Sequence, residues 1–479
     1  MMHIPAELRP IVEALARHGR PLLAGGCVRD WLLGRPAKDY DIEVYGLGWE
    51  DVARILRPFG PTDIVGRSFG SIKLRTAGGS EYDITLPRRE TKTGAGHRGF
   101  AVESDATLDE HTASARRDFT LNALLYDPIA QRLIDHHGGE TDLRRGILRH
   151  TSAAFVEDPL RVLRGFQFAA RFNLVLAPET ARLCASIANT FVELPTERIW
   201  GEWDKFATRA ETPSRGLAAL KASGWLGHFP ELAALDGTPQ DSEWHPEGDV
   251  FTHTLHCVDA LVRMPAWLGA SADLRRVLMF AVLGHDFGKP STTTRAFKHG
   301  AERWVSPGHA EAGAPLAHSF LERIGSPLGL RPHVAALVEN HHAHLNFPPE
   351  GPTPTAVRRL ARRLLPATID QLLVVLEADH RGRPPLISAN TERRMSQLRE
   401  MASRLQLESE APRPLLQGRD LIALGERPGR PFSTILAAAF EAQLEGAFST
   451  HDEGMAWLRE RLGRAPDVAN HPPPSSSIP

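Results

Sequence analysis

The spacing of hydrophobic and polar positions changes three times along this chain. In the first 150 residues, short apolar-rich runs alternate with helical stretches: PLLAGG at 21–26, DIEVYG at 41–46, SIKLRT at 71–76 and EYDITL at 81–86. That is the texture of a small mixed α/β unit. From about 155 to 235, apolar residues recur at intervals of three and four, as in DPLRVLRGFQFAARF and RIWGEWDKFATRA, and amphipathic helices are predicted. DGTPQDSEWHPEG at 236–248 interrupts the pattern with turn formers and predicts a linker. Helical spacing resumes over 250–390 and continues to about 465, after which 466–479 has the composition of a disordered tail. The expected architecture is α+β and multidomain: a mixed head at 1–150, a helical neck and body at 151–235, an all-helical unit at 236–390 and a helical tail at 391–465.

At 479 residues the chain is too long for one compact core, and about two to four domains are expected. It contains no apolar run of about eighteen residues, and MMHIPAELRP lacks the charged-then-apolar pattern of a signal peptide. Three widely spaced cysteines without paired-ligand spacing fit a reducing, cytoplasmic location. A net charge of -2 gives no global signal for nucleic acid, so any such binding must come from local patches. The 22 histidines change the picture more, because many fall between 245 and 345.

Two segments of the head carry candidate chemistry. GGCVRDWLLGRPAKDYDIEV at 25–44 sets paired glycines between an apolar strand and a helical run, where backbone can approach a phosphate chain. Arg29 could reach a phosphate oxygen from there. Asp39 and Asp41 lead into a strand on one face, and two converging carboxylates suit Mg²⁺ completed by water and phosphate oxygens. Either piece alone is as easily a turn or a solvated strand start; together within twenty residues they point to a metal-bound phosphate site.

GG-x-VRD-x-LLGR followed by D-x-D resembles the head signature of bacterial class II tRNA nucleotidyltransferases. This family holds the CCA-adding enzymes and poly(A) polymerases, within the DNA polymerase beta-like superfamily. VGRSFGSIKLR at 65–75, ARRDFTLNALLYDP at 115–128 and LIDHHGGETDLRRGILRH at 133–150 resemble later family motifs in the right order. The resemblance implies that Gly26 and Arg29 contact the nucleotide triphosphate and that Asp39 and Asp41 hold two Mg²⁺ ions. Arg117 would stabilise phosphate or the head–neck contact. Asp83 is either a third carboxylate or an exposed strand residue. LPRRETKTGAGHRGF at 86–100 matches a loop associated with switching from C to A addition.

FVEDPLRVLRGFQFAARF at 155–172 reads from its residues alone as a capped helix start with surface arginines. The resemblance gives it another meaning. Asp158 and Arg161 would bond the Watson–Crick edge of CTP or ATP, and Arg164 would sit near phosphate or sugar.

The third constellation is His253, His285-Asp286, His309, His341 and Asp379, in the order H…HD…H…H…D. Imidazole and carboxylate suit a water-activating transition metal such as Ni²⁺, Mn²⁺ or Co²⁺. The order resembles the HD superfamily of metal-dependent phosphohydrolases, an all-helical fold. That likeness implies His253, His285, Asp286 and Asp379 as core ligands, His309 and His341 as ligands of a second metal, and Lys289 as a phosphate partner. His256, His342 and His344 match no ligand position. The residues 415–449 resemble the family's tRNA-holding tail, and Arg358, Arg359, Arg362 and Arg363 form a basic patch that is either a phosphate contact or a solvated helix face.

The expected activity is therefore template-independent CCA addition to tRNA from CTP and ATP, with a tethered phosphohydrolase and no membrane association. Alternatives within the family are a poly(A) polymerase or a CC-adding enzyme. An alternative from another class is an HD phosphohydrolase whose transferase half only binds RNA. The sequence leaves the oligomeric state open.

Overall fold

The computed structural model describes residues 2–37, 39–65, 71–92, 100–298, 300–383 and 388–463. The disordered tail expected at 466–479 and the middle of the 86–100 loop lie outside these residues.

The strand-like runs of the head form β1 (Arg20–Ala24), β2 (Asp41–Tyr45), β3 (Thr62–Val65), β4 (Ser71–Arg75) and β5 (Glu81–Thr85). β6 (Arg88–Lys92) and β7 (Phe100–Ser104) pair as a hairpin of their own. β8 (Leu125–Asp127) and β9 (Arg132–Ile134) return to complete a seven-stranded sheet in the order β3-β4-β5-β2-β1-β8-β9. β2 and β5 run parallel, joined by a crossover through β3 and β4, while the other described pairs of this sheet are antiparallel. One face packs on the helices Leu8–Ala16 and Trp49–Leu56 through Leu8, Ile11, Leu15, Val52 and Leu56. The other buries Leu22, Tyr45, Ala113 and Leu125.

A two-residue parallel pairing of β10 (Ile147–Leu148) with β11 (Val175–Leu176) ties the end of the head to the neck. The period-three-and-four pattern then becomes the helices Leu160–Phe172 and Thr196–Arg209. Their apolar faces do not close on themselves. A single buried cluster runs from Phe119 through Trp203, Phe280 and Phe320 to Leu407. Trp203 of the body sits edge-on to Phe320, with ring centres 5.2 Å apart, and 5.1 Å from Phe229. Body and histidine-rich unit thus share one core, whereas the tail residues Leu416, Leu421, Phe448 and Leu458 form a separate small one.

The helical expectation for the histidine-rich unit holds with one addition. β12 (Thr294–Lys298) and β13 (Ala301–Val305) form an antiparallel hairpin, turned by Gly300 in the left-handed region at φ +81°. The basic patch has a third explanation besides the two its sequence offered. On the helix Pro354–Arg363, Arg359 binds Glu445, Arg362 pairs with Glu441 and lies over Phe440, and Arg358 donates to Leu444 O. These arginines dock the tail helix Pro431–Glu445. No described helix is long and apolar enough to cross a membrane.

Because Trp203 joins body and histidine-rich unit, Trp203→Ala is expected to lower stability by about 3–5 kcal/mol and to do so in one transition for both. Urea unfolding followed by far-UV circular dichroism and by fluorescence checks this. Separate transitions for the two segments would show that the core is not shared.

Candidate functional site

The first glycine of the pair is the one the backbone demands. Gly25 has φ +66°, and a Cβ there would stand 2.9 Å from Arg117 Nη1. Gly26 simply begins the helix Gly26–Leu32. Across the turn, the parallel pairing of β2 with β5 sets Asp41 directly opposite Asp83. Asp39, exposed just before β2, adds a third carboxylate to this sheet end. Partial burial pushes the Asp41 carboxyl above its ordinary range. Arg117 opposes this, while Asp83, Asp39 and Glu43 reinforce it. Like charges held side by side, with one strained upward, are what a hard cation would relieve. Lys73, 3.5 Å from Asp83, partly offsets the repulsion now. Arg117 itself donates to Glu43 Oε2 at 2.9 Å and to Asn122 O at 3.3 Å, beside the carboxylates.

Arg29, expected as a phosphate contact, lies at the junction of head and neck. It is 5 % exposed. Its guanidinium donates to Asp30 Oδ1 and to Asn122 Oδ1 at 2.7 Å, and it stacks 4.4 Å over the Phe172 ring at the end of the neck helix. Nε, Nη1 and Nη2 each donate one bond, so Arg29 braces head against neck.

The base-reading candidates line the same junction. Arg161 donates to Ala154 O at 2.7 Å and Arg116 O at 2.8 Å, which fixes the plane of its guanidinium. Asp158 Oδ1 accepts from the Leu160 amide, and Oδ2 from Arg198 at 3.1 Å. Arg164 donates to buried Asp118, which also accepts from Asn122 and the Phe119 amide. Burial works against the Asp118 charge, but Arg164 and these bonds outweigh it and hold the carboxyl below its ordinary range. Arg198, with a buried Nη1 that has no hydrogen-bond partner, and Glu202 were not singled out by sequence; their i, i+4 spacing on an amphipathic helix looks like ordinary surface pairing.

The histidine–aspartate residues converge as their order suggested. His253 comes from the helix Val250–Leu261, His285 and Asp286 from the end of Ala272–Gly284, and Asp379 from Ile369–Arg381. His253 Nε2 lies 3.1 Å from Asp379 Oδ1 and 3.8 Å from Asp286 Oδ2. His285 Nε2 lies 3.3 Å from Asp286 Oδ2, and it is a buried nitrogen with no hydrogen-bond partner. On the far side of Asp286, Oδ1 is 3.4 Å from His309 Nε2, which is 3.2 Å from His341 Nε2. The Nδ1 atoms of His285, His309 and His341 each lie 2.7 Å from a backbone carbonyl, of Val282, Ser306 and Val338. That pairing puts the proton on Nδ1 and leaves the Nε2 lone pairs facing one another. Two lone pairs at 3.2 Å repel unless a cation stands between them, and the spacing suits ligands at about 2.0–2.1 Å from one ion. The residues therefore fit a divalent metal, with Asp286 placed to bridge two positions.

His341 keeps a free lone pair, whereas the two carboxylates favour the charged form of His285. Burial, then the neighbouring imidazoles, holds His341 well below its ordinary range, so it is neutral. Burial opposes the charge of His285, but Asp286 and Asp379 raise it overall. Asp286 and Asp379 stay ionised despite their burial, through His285 and Lys289 for the first and Arg383 and His253 for the second. Lys289 Nζ lies 2.7 Å from Asp286 Oδ2 and donates to Gln240 Oε1 at 2.7 Å.

Two further residues join the centre. His342 packs its ring 4.6 Å from His309, and its ligand nitrogen groups with those of His309 and His341. His342 has no place in the motif order, and only its tandem with His341 marks it in the sequence. Glu247 comes from the segment expected to be a linker. Its side chain is 1 % exposed, with Oε1 2.8 Å from His253 Nδ1 and 2.9 Å from His245 Nδ1. Arg303 of β13 pins this segment through Asp241 and Glu243. A cavity of about 1160 Å³ reaches the centre, lined by Asp286, Lys289, His309, His342, Asp379 and Arg383.

A nucleotidyltransferase head coupled to an HD phosphohydrolase-type centre is the class that this fold and these sites define. A family model described as the poly A polymerase head domain matches residues 22–149, and one for the HD domain matches 250–375. A multifunctional CCA protein of Nitrosococcus oceani is 37% identical over 374 residues, 76% of this chain and 85% of the relative. One of Halorhodospira halophila is 38% identical over 371 residues, 75% and 83% of the two chains. The chain belongs to the multifunctional CCA protein family. The Bacillus stearothermophilus CCA-adding enzyme in complex with CTP shares the fold at a TM-score of 0.63 and 22% identity, covering 96% of this chain and 98% of that one. The Thermotoga maritima CCA-adding enzyme complexed with tRNA does so at 0.58 and 18%, covering 96% and 97%.

If Glu247 orients His253, Glu247→Ala is expected to weaken divalent-metal affinity about 10–100-fold without unfolding the protein. Chelator competition with Ni²⁺, alongside near-UV circular dichroism, measures it. Unchanged affinity would reduce Glu247 to a packing role.

Proposed function

We propose that this chain adds CCA to tRNA 3′ ends from CTP and ATP without a nucleic-acid template, and that its HD centre hydrolyses phosphoesters, including 2′,3′-cyclic phosphates. The observation that carries the transferase reading is the register that sets Asp41 beside Asp83, with Asp39 and Arg117 close by. Asp39 and Asp41 would hold Mg²⁺, with Asp83 as a third carboxylate. The bound ion would neutralise phosphate charge and lower the pKa of the attacking 3′-hydroxyl. Arg117 adds fixed positive charge at the same sheet end, and Gly26 leaves room for the triphosphate beside it.

Asp158 and Arg161 read the base. Their bonds to Arg198, Ala154 O and Arg116 O hold both groups before a nucleotide arrives, so little ordering remains to be done on binding. A fixed acceptor and donor favour C and A over U and G. Arg164, tied to Asp118, lies one turn further along the helix, toward sugar or phosphate.

In the HD centre, His253, His285, Asp286 and Asp379 would hold one transition ion such as Ni²⁺, Mn²⁺ or Co²⁺, and His309 and His341 with His342 a second. Such an ion supplies a water of lowered pKa. Lys289 and Arg383 bring positive charge to the cavity for the substrate phosphate. The partners are tRNA, CTP and ATP, and the location is the cytoplasm. The rival in which the head only binds RNA leaves the Asp39, Asp41 and Asp83 grouping without a purpose.

Transcripts of tRNA ending before CCA, after C and after CC test the reading, with products sequenced and 2′,3′-cyclic AMP hydrolysis followed in parallel. Asp41→Asn is expected to lose incorporation by orders of magnitude and keep hydrolysis; His285→Ala is expected to do the reverse. Runs of A would make the enzyme a poly(A) polymerase, and products stopping at CC a CC-adding enzyme. No hydrolysis by wild type with Ni²⁺, Mn²⁺ or Co²⁺ would overturn the second activity.

Arg161→Ala is expected to relax base choice more than it slows transfer, by about 1–3 kcal/mol of discrimination. Relative incorporation of CTP, ATP, UTP and GTP measures this; an unchanged preference would mean the base is read elsewhere.

A further inference from the structure

One buried group beside the HD centre has no place in the histidine–aspartate pattern. Cys257 follows His253 by four residues on the helix Val250–Leu261, so both side chains share one face a turn apart. Its Sγ lies 3.3 Å from His253 Nε2 and 3.7 Å from Asp379 O. Ligand atoms of His253, Cys257, His285 and Asp379 all fall within 4.8 Å of one another. The four residues are between 0 and 6 % exposed. The unpartnered Nε2 of His285 belongs to the same group. The sulfur is also held in place, since a Cβ at Gly382 would come within 2.3 Å of it.

These distances approach a coordination polyhedron. Nitrogen and oxygen ligands at about 2.0–2.2 Å and sulfur at about 2.3 Å stand roughly 3.3–3.8 Å apart around a tetrahedral ion. The observed separations are 3.3 Å for Cys257–His253, 3.1 Å for His253–Asp379 and 3.9 Å for His285–Asp379. A small core thiol, the bland alternative, explains the burial. It does not explain a sulfur standing at ligand distance inside a ring of metal donors.

We propose that Cys257 is a sulfur ligand of the first HD metal position and biases it toward borderline-soft ions such as Zn²⁺ and Co²⁺ over Mn²⁺ and Mg²⁺. This rests on reading the HD residues as a metal centre. On binding, the Cys257 thiol releases its proton to bulk water and the sulfur donates to the ion. The position formed by His309, His341 and His342 has no sulfur, so the two positions differ in softness, with Asp286 between them.

The test uses the full chain, stripped with EDTA and titrated with Co²⁺. Wild type is expected to show both visible d–d bands and a near-ultraviolet sulfur-to-cobalt charge-transfer band. Cys257→Ser and Cys257→Val are each expected to keep the visible bands and lose the charge-transfer band. Zn²⁺ affinity should fall about tenfold or more in both, with Mn²⁺ affinity little changed. Visible bands without a charge-transfer band in wild type would overturn the proposal, and so would a band that survives in Cys257→Val. Absence of any cobalt bands would instead remove the metal-centre reading beneath it. The wild-type spectrum decides even if one variant folds poorly.

Discussion

Burying an imidazole so that its lone pair faces others is unfavourable, and the histidine-rich unit is organised around sustaining that arrangement. His253 and His341 are fully buried. What makes their burial tolerable is the second ring nitrogen, which finds Glu247 in one case and Val338 O in the other. The carbonyls that serve His285, His309 and His341 lie three residues before each ring, so local helical turns supply the bond and aim Nε2 inward. His253 is the exception. It stands inside its helix, where the backbone carbonyls are spent, and so needs a carboxylate from another segment. This is why a stretch of turn residues at 236–248 is fixed by Arg303 and Asp249 instead of trailing between domains.

The head solves the opposite problem. Its carboxylates are gathered at an open sheet end, where water screens their repulsion and the HD-type rigidity is not required. Asp39, Asp41 and Asp83 do not form a group as tight as the buried one. Hard cations that keep part of their water shell and share phosphate oxygens suit that open arrangement, while a dry nest of imidazoles suits an ion that sheds water for nitrogen. The difference in burial, more than the difference in residue type, separates the two chemistries.

Much of this was legible in the chain. The ordered histidine motifs name groups that do converge, whereas Asp39 lies just outside the strand that begins at Asp41. What sequence could not carry is the contact between distant elements. Asp83 becomes a partner of Asp41 only through the parallel β2–β5 crossover. Arg29 braces head against neck only because Phe172, 143 positions away by the numbering, closes over it. Arg359 and Arg362 read as a basic patch because their acidic partners, Glu445 and Glu441, lie far along the chain. Glu247 was hidden in a segment whose composition signals a loop and says nothing about what the loop covers.

The junction of head and neck ties the helix carrying Arg161 to the sheet carrying Asp41 through a chain of buried polar bonds. Asp118 is buried and must be bonded to remain charged, so it binds Arg164 from the neck and Asn122 from the head. Asn122 in turn receives Arg29, whose other face rests on Phe172 of the same neck helix. These bonds lock the helix carrying Arg161 and Arg164 to the sheet carrying Asp41, through groups that need touch neither base nor phosphate. A reader of two bases without a template must present the same donor and acceptor to each, at a constant distance from the metal ligands. A rigid, charge-paired hinge meets that requirement, whereas a mobile one would let the edge of the pocket drift between C and U. On the proposed reading, in which Asp158 and Arg161 contact the base, loss of Asp118 or Asn122 would reach fidelity through geometry.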